Sequence, residues 1–427
     1  MANVVVMAGY YYPYFSPNGN IMKNILDELK KEHVVKVIAV KNHFGLSKTE
    51  EYDGYEIVRI NEFSTCFHNY FEKKKQNANF LERNSYNFLL QVKRISLLLR
   101  KISRSTSLDD SIIKKHLNAL EKINGYFPID VVLPVSLPYE SFIAAKEFKN
   151  ANSNVKVIPF QLDHFTDSQT LHNFDFIKRF RYRKHIEIEK DCINKSDHYF
   201  ILPQLKEHFN DKTFEELKNK ITVCEHPLLK DIEIKKNTDM GFSDRHINLV
   251  YAGALYKEIR NPKYMLDMLK CIPSEENICF NVYHFGDCDD IINEYKKELE
   301  EGLQNNGKVT TEESFAAINN SEVLISIGNS ISNQVPSKIF EYFSFGKAIV
   351  HLYNNDDDPY LELLSNYPLS LCIKMDENNL KENSKRLLEF CKTNAGKTVD
   401  FEKVEEIYYD ATPKFVGAKY SEIINRK

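Results

Sequence analysis

The sequence lacks several motifs by which a protein class is often recognised. It has no G-x-x-x-x-G-K-[ST] phosphate loop, no G-x-G-x-x-G motif after a strand and no G-x-S-x-G nucleophile motif. Nothing in it therefore indicates an NTPase, a dinucleotide-dependent dehydrogenase or a serine hydrolase. No apolar run approaches the roughly 18 residues of a membrane span. The opening residues, MANVVVMAGYYYP, lack a basic region and a long apolar core, so we expect a first strand there rather than a signal peptide.

Paired cysteines and a strong charge of one sign are also missing. None of the eight cysteines belongs to a C-x-x-C pair, which argues against a disulfide framework and a zinc site and is typical of reduced thiols in a cytoplasmic protein. The net charge of −4 gives no sign of a nucleic-acid partner.

Strand and helix patterns alternate along most of the chain. Apolar runs of strand length predict strands at 3–9, 34–40, 55–60, 130–136, 155–161, 198–203, 247–255, 279–286, 322–328, 347–353 and 369–375. Nearly all are continuous rather than alternating, as in parallel strands covered by helices on both faces. The predicted fold class is α/β, with two Rossmann-like doubly wound domains that face each other across a cleft. In such sheets ligands bind beyond the carboxyl ends of the strands.

A polar stretch at 230–246 separates the two series of strands. We therefore predict domains at 1–235 and 236–410. One segment interrupts the alternation, a helical and basic insertion near 70–125. Between residues 70 and 115, eleven Lys and Arg face four Asp and Glu, and a second basic cluster, KRFRYRK, follows at 178–184. These clusters are either solvated helix faces or contacts with an anionic membrane or a diphosphate-bearing acceptor.

The stretch NQVPSKIFEYFSFGKAIV, residues 333–350, predicts a short helix that begins at Pro336 and ends at Gly346. Lys338 lies in its first turn, where the positive end of the helix dipole disfavours a cation. Glu341 lies three residues on, on the same face. One interpretation is an exposed Lys–Glu pair. The other is an anion site made by the helix end and the lysine, with the glutamate placed to bind a sugar diol.

A second motif, YAGALYKEIRNPKYML, spans residues 251–266. A strand ends near Gly253, and Asn261 and Pro262 are suited to begin a helix. Arg260 therefore precedes a helix start at the carboxyl end of a strand. It is either a surface arginine or a second cation over the phosphates that the lysine of the first motif would bind.

The stretches PSKIFEYFSFGKAIV and YAGALYKEIRNP resemble the C-terminal nucleotide-binding domain of GT-B glycosyltransferases. The nearest members are the retaining, glycosyltransferase family 4-like enzymes that build bacterial capsular and other exopolysaccharides. The first strand, its SPNGN loop and the next helix resemble the N-terminal domain of this fold. The resemblance implies an acceptor-binding N-terminal domain, a C-terminal domain that binds the nucleotide sugar, and a terminal helix at 411–427 that packs back on the N-terminal domain.

The resemblance also implies roles for individual residues. Arg260 and Lys338 would bind the donor diphosphate and stabilise the leaving nucleotide, which makes a divalent metal unnecessary. Glu341 would hold the ribose hydroxyls. The implied donor-binding residues are Gly19, Gly253, Asn333, Pro336, Ser337, Lys338 and Glu341.

Three of the implied site residues lie in the N-terminal part. Gly19 would let the backbone approach the donor phosphate or the acceptor. Asp163 and His164, in PFQLDHF, follow a central strand, where such enzymes place a residue that contacts the transferred sugar. We favour His164 for this catalytic position; the alternative is a histidine satisfied within an interface.

One position departs from the family pattern. Many retaining members carry a Glu eight residues before the helix Glu, whereas this chain has Asn333. The donor sugar and the stereochemistry of transfer therefore stay open. We expect transfer of a hexosyl or N-acetylhexosaminyl group from a UDP-sugar to a glycan or lipid-linked acceptor, in the cytoplasm or peripherally at the inner face of the cell membrane. The alternatives are a nucleotide-sugar 2-epimerase and a non-catalytic partner subunit.

Two acidic clusters, GDCDD at 286–290 and NNDDDP at 354–359, suggest a Mg²⁺ site, because paired aspartates suit that ion. The same aspartates also suit the first turns of helices. We favour the second interpretation and expect no metal and no other cofactor.

Overall fold

The chain forms two compact units in a computed structural model that describes residues 1–172, 174–232, 240–330 and 338–426. The first unit comprises Met1–Pro227 together with Pro413–Lys427, and the second comprises Leu228–Thr412. The division after Pro227 lies eight residues before the boundary predicted from the sequence. The intervening polar stretch includes residues 233–239, which are outside the described part.

The strands in chain order are β1 Asn3–Met7, β2 Val34–Lys41, β3 Thr49–Tyr52, β4 Tyr55–Asn61, β5 Val131–Pro134, β6 Lys156–Val157, β7 Phe160–Gln161, β8 Tyr199–Ile201, β9 Ile221–Val223, β10 Ile247–Leu255, β11 Ile278–Gly286, β12 Leu303–Gly307, β13 Val323–Ile327, β14 Ala348–Tyr353 and β15 Ser370–Lys374.

The α-helices in chain order are α1 Pro17–Leu29, α2 Phe63–Gln76, α3 Phe80–Ile102, α4 Asp110–Asn124, α5 Glu140–Ala151, α6 Gln169–His172, α7 Asp175–Lys195, α8 Lys206–Asn210, α9 Lys263–Lys270, α10 Asp289–Leu299, α11 Thr311–Asn320, α12 Lys338–Ser344, α13 Tyr360–Ser365, α14 Leu380–Asn394, α15 Phe401–Ile407 and α16 Pro413–Asn425. No helix among the described residues is both long and apolar enough to cross a membrane.

The first unit is built on a six-stranded sheet with the order β3-β4-β2-β1-β5-β6. All its pairs are parallel except β3 with β4. The apolar strands are buried under helices on both faces, as their continuous pattern predicted. The terminal helix α16 belongs to this unit, where Lys156 Nζ donates to the carbonyl of Ile424 at 2.9 Å.

The second unit is a fully parallel sheet with the order β12-β11-β10-β13-β14-β15. Chain order therefore reverses between β10 and β13, which makes the crevice at their carboxyl ends the topological switch point of the sheet. In the first unit the same reversal falls between β1 and β5. Both units are doubly wound, and the predicted α/β fold class is confirmed.

Some elements differ from the prediction. The single strand expected at 155–161 is divided, and its two ends pair in different sheets, β6 in the large one and β7 in a small parallel sheet with β8 and β9. Pro159 lies between the two strands. It interrupts the hydrogen-bond ladder, because a proline has no N–H to donate. The basic insertion forms the three helices α2, α3 and α4.

Candidate functional site

The side chains predicted to hold a diphosphate emerge at the switch point of the second unit. Arg260 follows β10, and Lys338 is the first residue of α12, which comes after β13. Since β10 and β13 are neighbouring parallel strands, their carboxyl ends open on the same edge of the sheet. The strand order thus places both motifs at the crevice where doubly wound sheets bind ligands.

Hydrogen bonds tie Arg260 to both strand ends. Its Nε and Nη2 donate to Asn329 Oδ1 at 3.1 and 2.8 Å, and Asn329 lies just after β13. Its Nη1 donates to the carbonyl of Ala254 in β10 at 3.3 Å and lies 3.5 Å from the Tyr251 hydroxyl. The guanidinium is therefore held across the switch point by neutral partners, which leaves its charge available to an anion.

Lys338 and Glu341 form the surface pair that their spacing predicted. Lys338 Nζ lies 2.6 Å from Glu341 Oε2, and the two side chains are about one-third and one-quarter exposed. Lys338 also lies 5.9 Å from the ring centroid of Phe315. An ion pair of this exposure is weak, so an entering ligand can replace it at little cost.

A buried tyrosine fixes α12 against the switch point. The Tyr342 hydroxyl accepts a hydrogen bond from the Ala252 amide of β10 and donates to the Ile325 carbonyl of β13, both at 3.2 Å. Since Tyr342 neighbours Glu341 in sequence, the helix surface that carries the lysine and the glutamate is anchored to both central strands. Gly346, with φ of +63°, follows the helix and confirms its predicted end.

Three predicted donor-binding residues lie outside the described residues, namely Asn333, Pro336 and Ser337. Gly253 lies within β10, where a side-chain Cβ would come within 3.2 Å of the Tyr251 hydroxyl.

Sequence reasoning missed Asn329 and Tyr360 in this region. Burial raises the pKa of Tyr360 well above its usual value, and the positive charge of Arg260 opposes that shift. The signal for Asn329 was its position directly after the predicted strand 322–328.

The first unit gathers a second group of predicted residues at its own switch point. Gly19 packs so closely that a Cβ would lie 2.4 Å from the Tyr10 carbonyl oxygen, and its amide donates to the N-cap residue Ser16 at 3.1 Å. The neighbouring Asn18 donates to the Ser136 carbonyl at 3.1 Å and to Asp163 Oδ2 at 3.3 Å. The glycine therefore lets the start of α1 approach the loop after β1, and Asn18 links that helix start to Asp163.

His164 borders an ion triad that the sequence did not reveal, formed by the buried Glu189, the nearly buried His208 and the partly exposed Asp167. His208 Nε2 lies 2.9 Å from Glu189 Oε2, and its Nδ1 lies 3.4 Å from Asp167 Oδ2. The His164 and His208 ring centroids are 6.2 Å apart. Glu189 is fully buried and also accepts hydrogen bonds from Thr166 at 2.7 Å and from the Gln161 amide at 3.2 Å.

The triad separates the charge states of the two histidines. Burial alone would lower the pKa of His208, but hydrogen bonds to Asp167 and Glu189, together with their charges, raise it to about 9. Burial, and then the positive charge of His208, lower the pKa of His164. At neutral pH His208 is therefore a cation and His164 is a neutral imidazole, which can donate one hydrogen bond and accept another.

The aspartates that suggested a metal site have other partners. Asp358 Oδ2 lies 3.3 Å from the buried His351, and Asp290 pairs with Lys257 at 2.6 Å. Among the described residues, no group of three or more His, Cys, Asp and Glu side chains is arranged to hold a metal ion.

No protein-family model matches the sequence, and no curated protein matches it either. Solved structures match it over its whole length at low identity. An α,α-trehalose-phosphate synthase (UDP-forming) from Burkholderia xenovorans has a TM-score of 0.57 at 9% identity, with 100% of both chains covered. A lipopolysaccharide outer core galactosyltransferase has a TM-score of 0.53 at 10% identity, with 99% of both chains covered. The UDP-GlcNAc 2-epimerase from Methanocaldococcus jannaschii has a TM-score of 0.55 at 12% identity, also with 99% of both chains covered.

Identities of this size show the fold alone. The matched glycosyltransferases are two-domain GT-B proteins, and the epimerase shares their fold. The chain therefore has the GT-B fold.

Proposed function

We propose that the chain is a glycosyltransferase that transfers a sugar from a nucleotide-sugar donor, most readily a UDP-sugar, to a hydroxyl of a glycan or lipid-linked acceptor. The observation that carries this proposal is that Arg260 and α12, which carries Lys338 and Glu341, follow the neighbouring strands β10 and β13 at the switch point of the second unit. The fold likeness to a UDP-forming synthase and to a galactosyltransferase supports it.

The proposed chemistry follows from charge. As the bond between the sugar and the diphosphate breaks, negative charge grows on the leaving nucleotide, and two nearby cations stabilise it. When the diphosphate binds Lys338, the ion pair with Glu341 is broken. The Glu341 carboxylate then accepts hydrogen bonds from the ribose hydroxyls. We expect no divalent metal to be needed, because Arg260 and Lys338 supply the positive charge.

In this proposal the first unit binds the acceptor. Neutral His164 contacts a hydroxyl of the transferred sugar, and Asp163 is held beside it by Asn18. Gly19 holds the start of α1 close to the loop after β1, and the backbone there would meet the donor phosphate or the acceptor. Asn333, Pro336, Ser337 and Gly253 complete the donor-binding set.

The finer assignment rests on the sequence resemblance. We propose a retaining, family 4-like enzyme that transfers a hexosyl or N-acetylhexosaminyl group in bacterial capsular or other surface polysaccharide biosynthesis. It would act in the cytoplasm, at or near the inner face of the cell membrane.

A donor-turnover assay tests the proposal. Purified protein is incubated with a set of UDP-sugars, and release of UDP is followed with and without acceptor glycans. We expect slow release by the wild type and a loss of about 100-fold or more in Lys338→Ala, since removing one such electrostatic contact typically costs that much. Lys270→Ala is the matched control, because Lys270 also forms a 2.6 Å pair with a glutamate, Glu298, but lies at the far end of α9.

Other outcomes favour the other interpretations. The UDP-GlcNAc 2-epimerase likeness makes conversion of the free donor to its epimer a specific alternative, visible by NMR of the same reaction. Binding of a UDP-sugar without UDP release or epimerisation, over a broad set of acceptors, would identify a non-catalytic partner subunit.

A further inference from the structure

The long helix α3 has no buried residue over its 23 positions. It is nevertheless firmly attached. A capping box between Asn79 and Glu82 begins it. Near its end, the buried Arg181 of α7 donates to the Arg104 carbonyl at 2.7 Å and to the carbonyl of Lys101. Lys93 donates to the Ser64 carbonyl near the start of α2. The helix is thus held along one side, and its other side has no cover in the described part of the chain.

The uncovered side is apolar. Six residues recur at steps of three, four and seven along it, and each is between 38% and 76% exposed. This α3 face consists of Leu81, Phe88, Val92, Ile95, Leu99 and Ile102. Leu89 and Leu98 lie beside these six residues and make the apolar surface wider. A monomeric soluble protein rarely exposes a continuous apolar stripe of this length, so the α3 face is expected to meet a partner.

Positive charge is concentrated around the same helix. Residues 63–102 contain eight Lys and Arg against two Glu, although the whole chain has a net charge of −4. The two basic clusters of the sequence also come together here, because Arg181 joins the start of α7 to the end of α3. That part of α7 exposes Phe176 and Phe180 beside Arg179, Arg183 and Lys184.

Two occupants fit an apolar helical stripe, a second copy of the chain and a lipid bilayer. A second copy paired along this stripe would find no opposite charges beside the seam to fix its register. Coiled-coil pairs use opposite charges beside the seam, but the flanking positions here are Glu82, Leu89 and Ser96 on one side and Asn84, Gln91 and Leu98 on the other. An anionic bilayer complements both the apolar stripe and the cations.

We propose that the first unit docks on an anionic membrane surface through the α3 face and the exposed start of α7. The apolar side chains enter the boundary between headgroups and acyl chains, and the exposed Arg179, Arg183 and Lys184 of α7 contact lipid phosphates. A groove of about 1290 Å³ between α2 and α3 reaches Tyr10, whose hydroxyl lies 2.8 Å from that of Thr65. The groove lies on the α2 side of α3, so it stays open to a ligand while the α3 face is docked.

Vesicle co-sedimentation of the full chain tests this proposal. Vesicles of phosphatidylcholine alone are compared with vesicles that also contain phosphatidylglycerol. We expect binding to the anionic vesicles, a loss of at least ~10-fold in Phe88→Ser/Ile95→Ser because two large apolar side chains are removed, and a similar loss in Arg179→Glu/Arg183→Glu. Val223→Ser and Lys212→Glu are the controls, since they change exposed residues of the same unit outside this surface.

Fluorescence provides a second measurement. The chain contains no tryptophan, so Phe88→Trp introduces a single indole on the α3 face and Tyr126→Trp places one elsewhere on the unit. We expect a blue shift and quenching by brominated anionic lipid for the first variant alone. Absence of wild-type binding to anionic vesicles overturns the proposal, as does a dimer in solution that Phe88→Ser/Ile95→Ser converts to a monomer.

Discussion

The two units hold charged side chains in opposite ways. In the second unit, Lys338 and Glu341 pair on a partly exposed helix surface. In the first, His208 is held between Asp167 and the fully buried Glu189. A surface pair contributes little to stability and exchanges partners easily, whereas a buried one is fixed by the cost of leaving a charge unpaired. The surface pair is suited to receive a ligand, and the charge of the buried His208–Glu189 pair helps to keep His164 neutral.

The largest effect on stability is expected for Glu189→Ala. This change removes a buried carboxylate that accepts hydrogen bonds from His208, Thr166 and Gln161, and breaking such a buried pair costs about 3–5 kcal/mol. Denaturant unfolding measures it. Glu187→Ala, an exposed position two residues earlier on α7, is the control and is expected to stay within ~0.5 kcal/mol of the wild type. Equal losses of unfolding free energy in the two variants would show that the triad does not stabilise the fold more than an exposed glutamate does.

A smaller effect is expected from pH. The pKa of His208 is raised to about 9 in the folded chain, above its ordinary value of about 6.5. Its contribution is therefore complete below pH ~6.5 and is lost as the pH rises through about 9, with a total of about 3 kcal/mol. The difference in unfolding free energy between wild type and His208→Gln should shrink over that interval. The exposed His68→Gln provides the comparison, and a difference that is constant with pH would contradict the assignment.

The smallest effect on stability is expected for Lys338→Ala. An exposed pair three residues apart on a helix contributes only about 0.2–0.5 kcal/mol, so the unfolding curve should nearly superimpose on that of the wild type. A loss above ~1 kcal/mol would mean that the lysine is a structural residue, and would remove the contrast with the buried His208–Glu189 pair.

Much of the fold could be predicted from the sequence, because buried parallel strands leave continuous apolar runs. The elements that were missed are short or polar, such as β9 with three residues and β12, whose sequence is LQNNG. The division of the strand predicted at 155–161 was not foreseen, because an apolar pattern does not show which sheet each end of a segment joins. The reversal of strand order also depends on contacts between distant segments, so a local pattern does not encode it.

The site could be predicted only where its signal was local. Lys338 was conspicuous because a cation is out of place in the first turn of a helix. The triad of Asp167, Glu189 and His208 went unnoticed because its members lie on different elements and none is unusual in its own segment. The role of Arg181 was hidden for the same reason, since its partners Lys101 and Arg104 are about 80 positions away in the chain.

The central claim is that Arg260 and Lys338 form a diphosphate site, and calorimetric titration with UDP tests it most directly. The titrations compare the wild type with Arg260→Ala, Lys338→Ala and the control Lys270→Ala. Loss of one charge-assisted contact is expected to weaken UDP binding by about 10- to 100-fold in each of the first two variants and to leave the control unchanged. Wild-type affinity for UDP in both Arg260→Ala and Lys338→Ala would contradict the account.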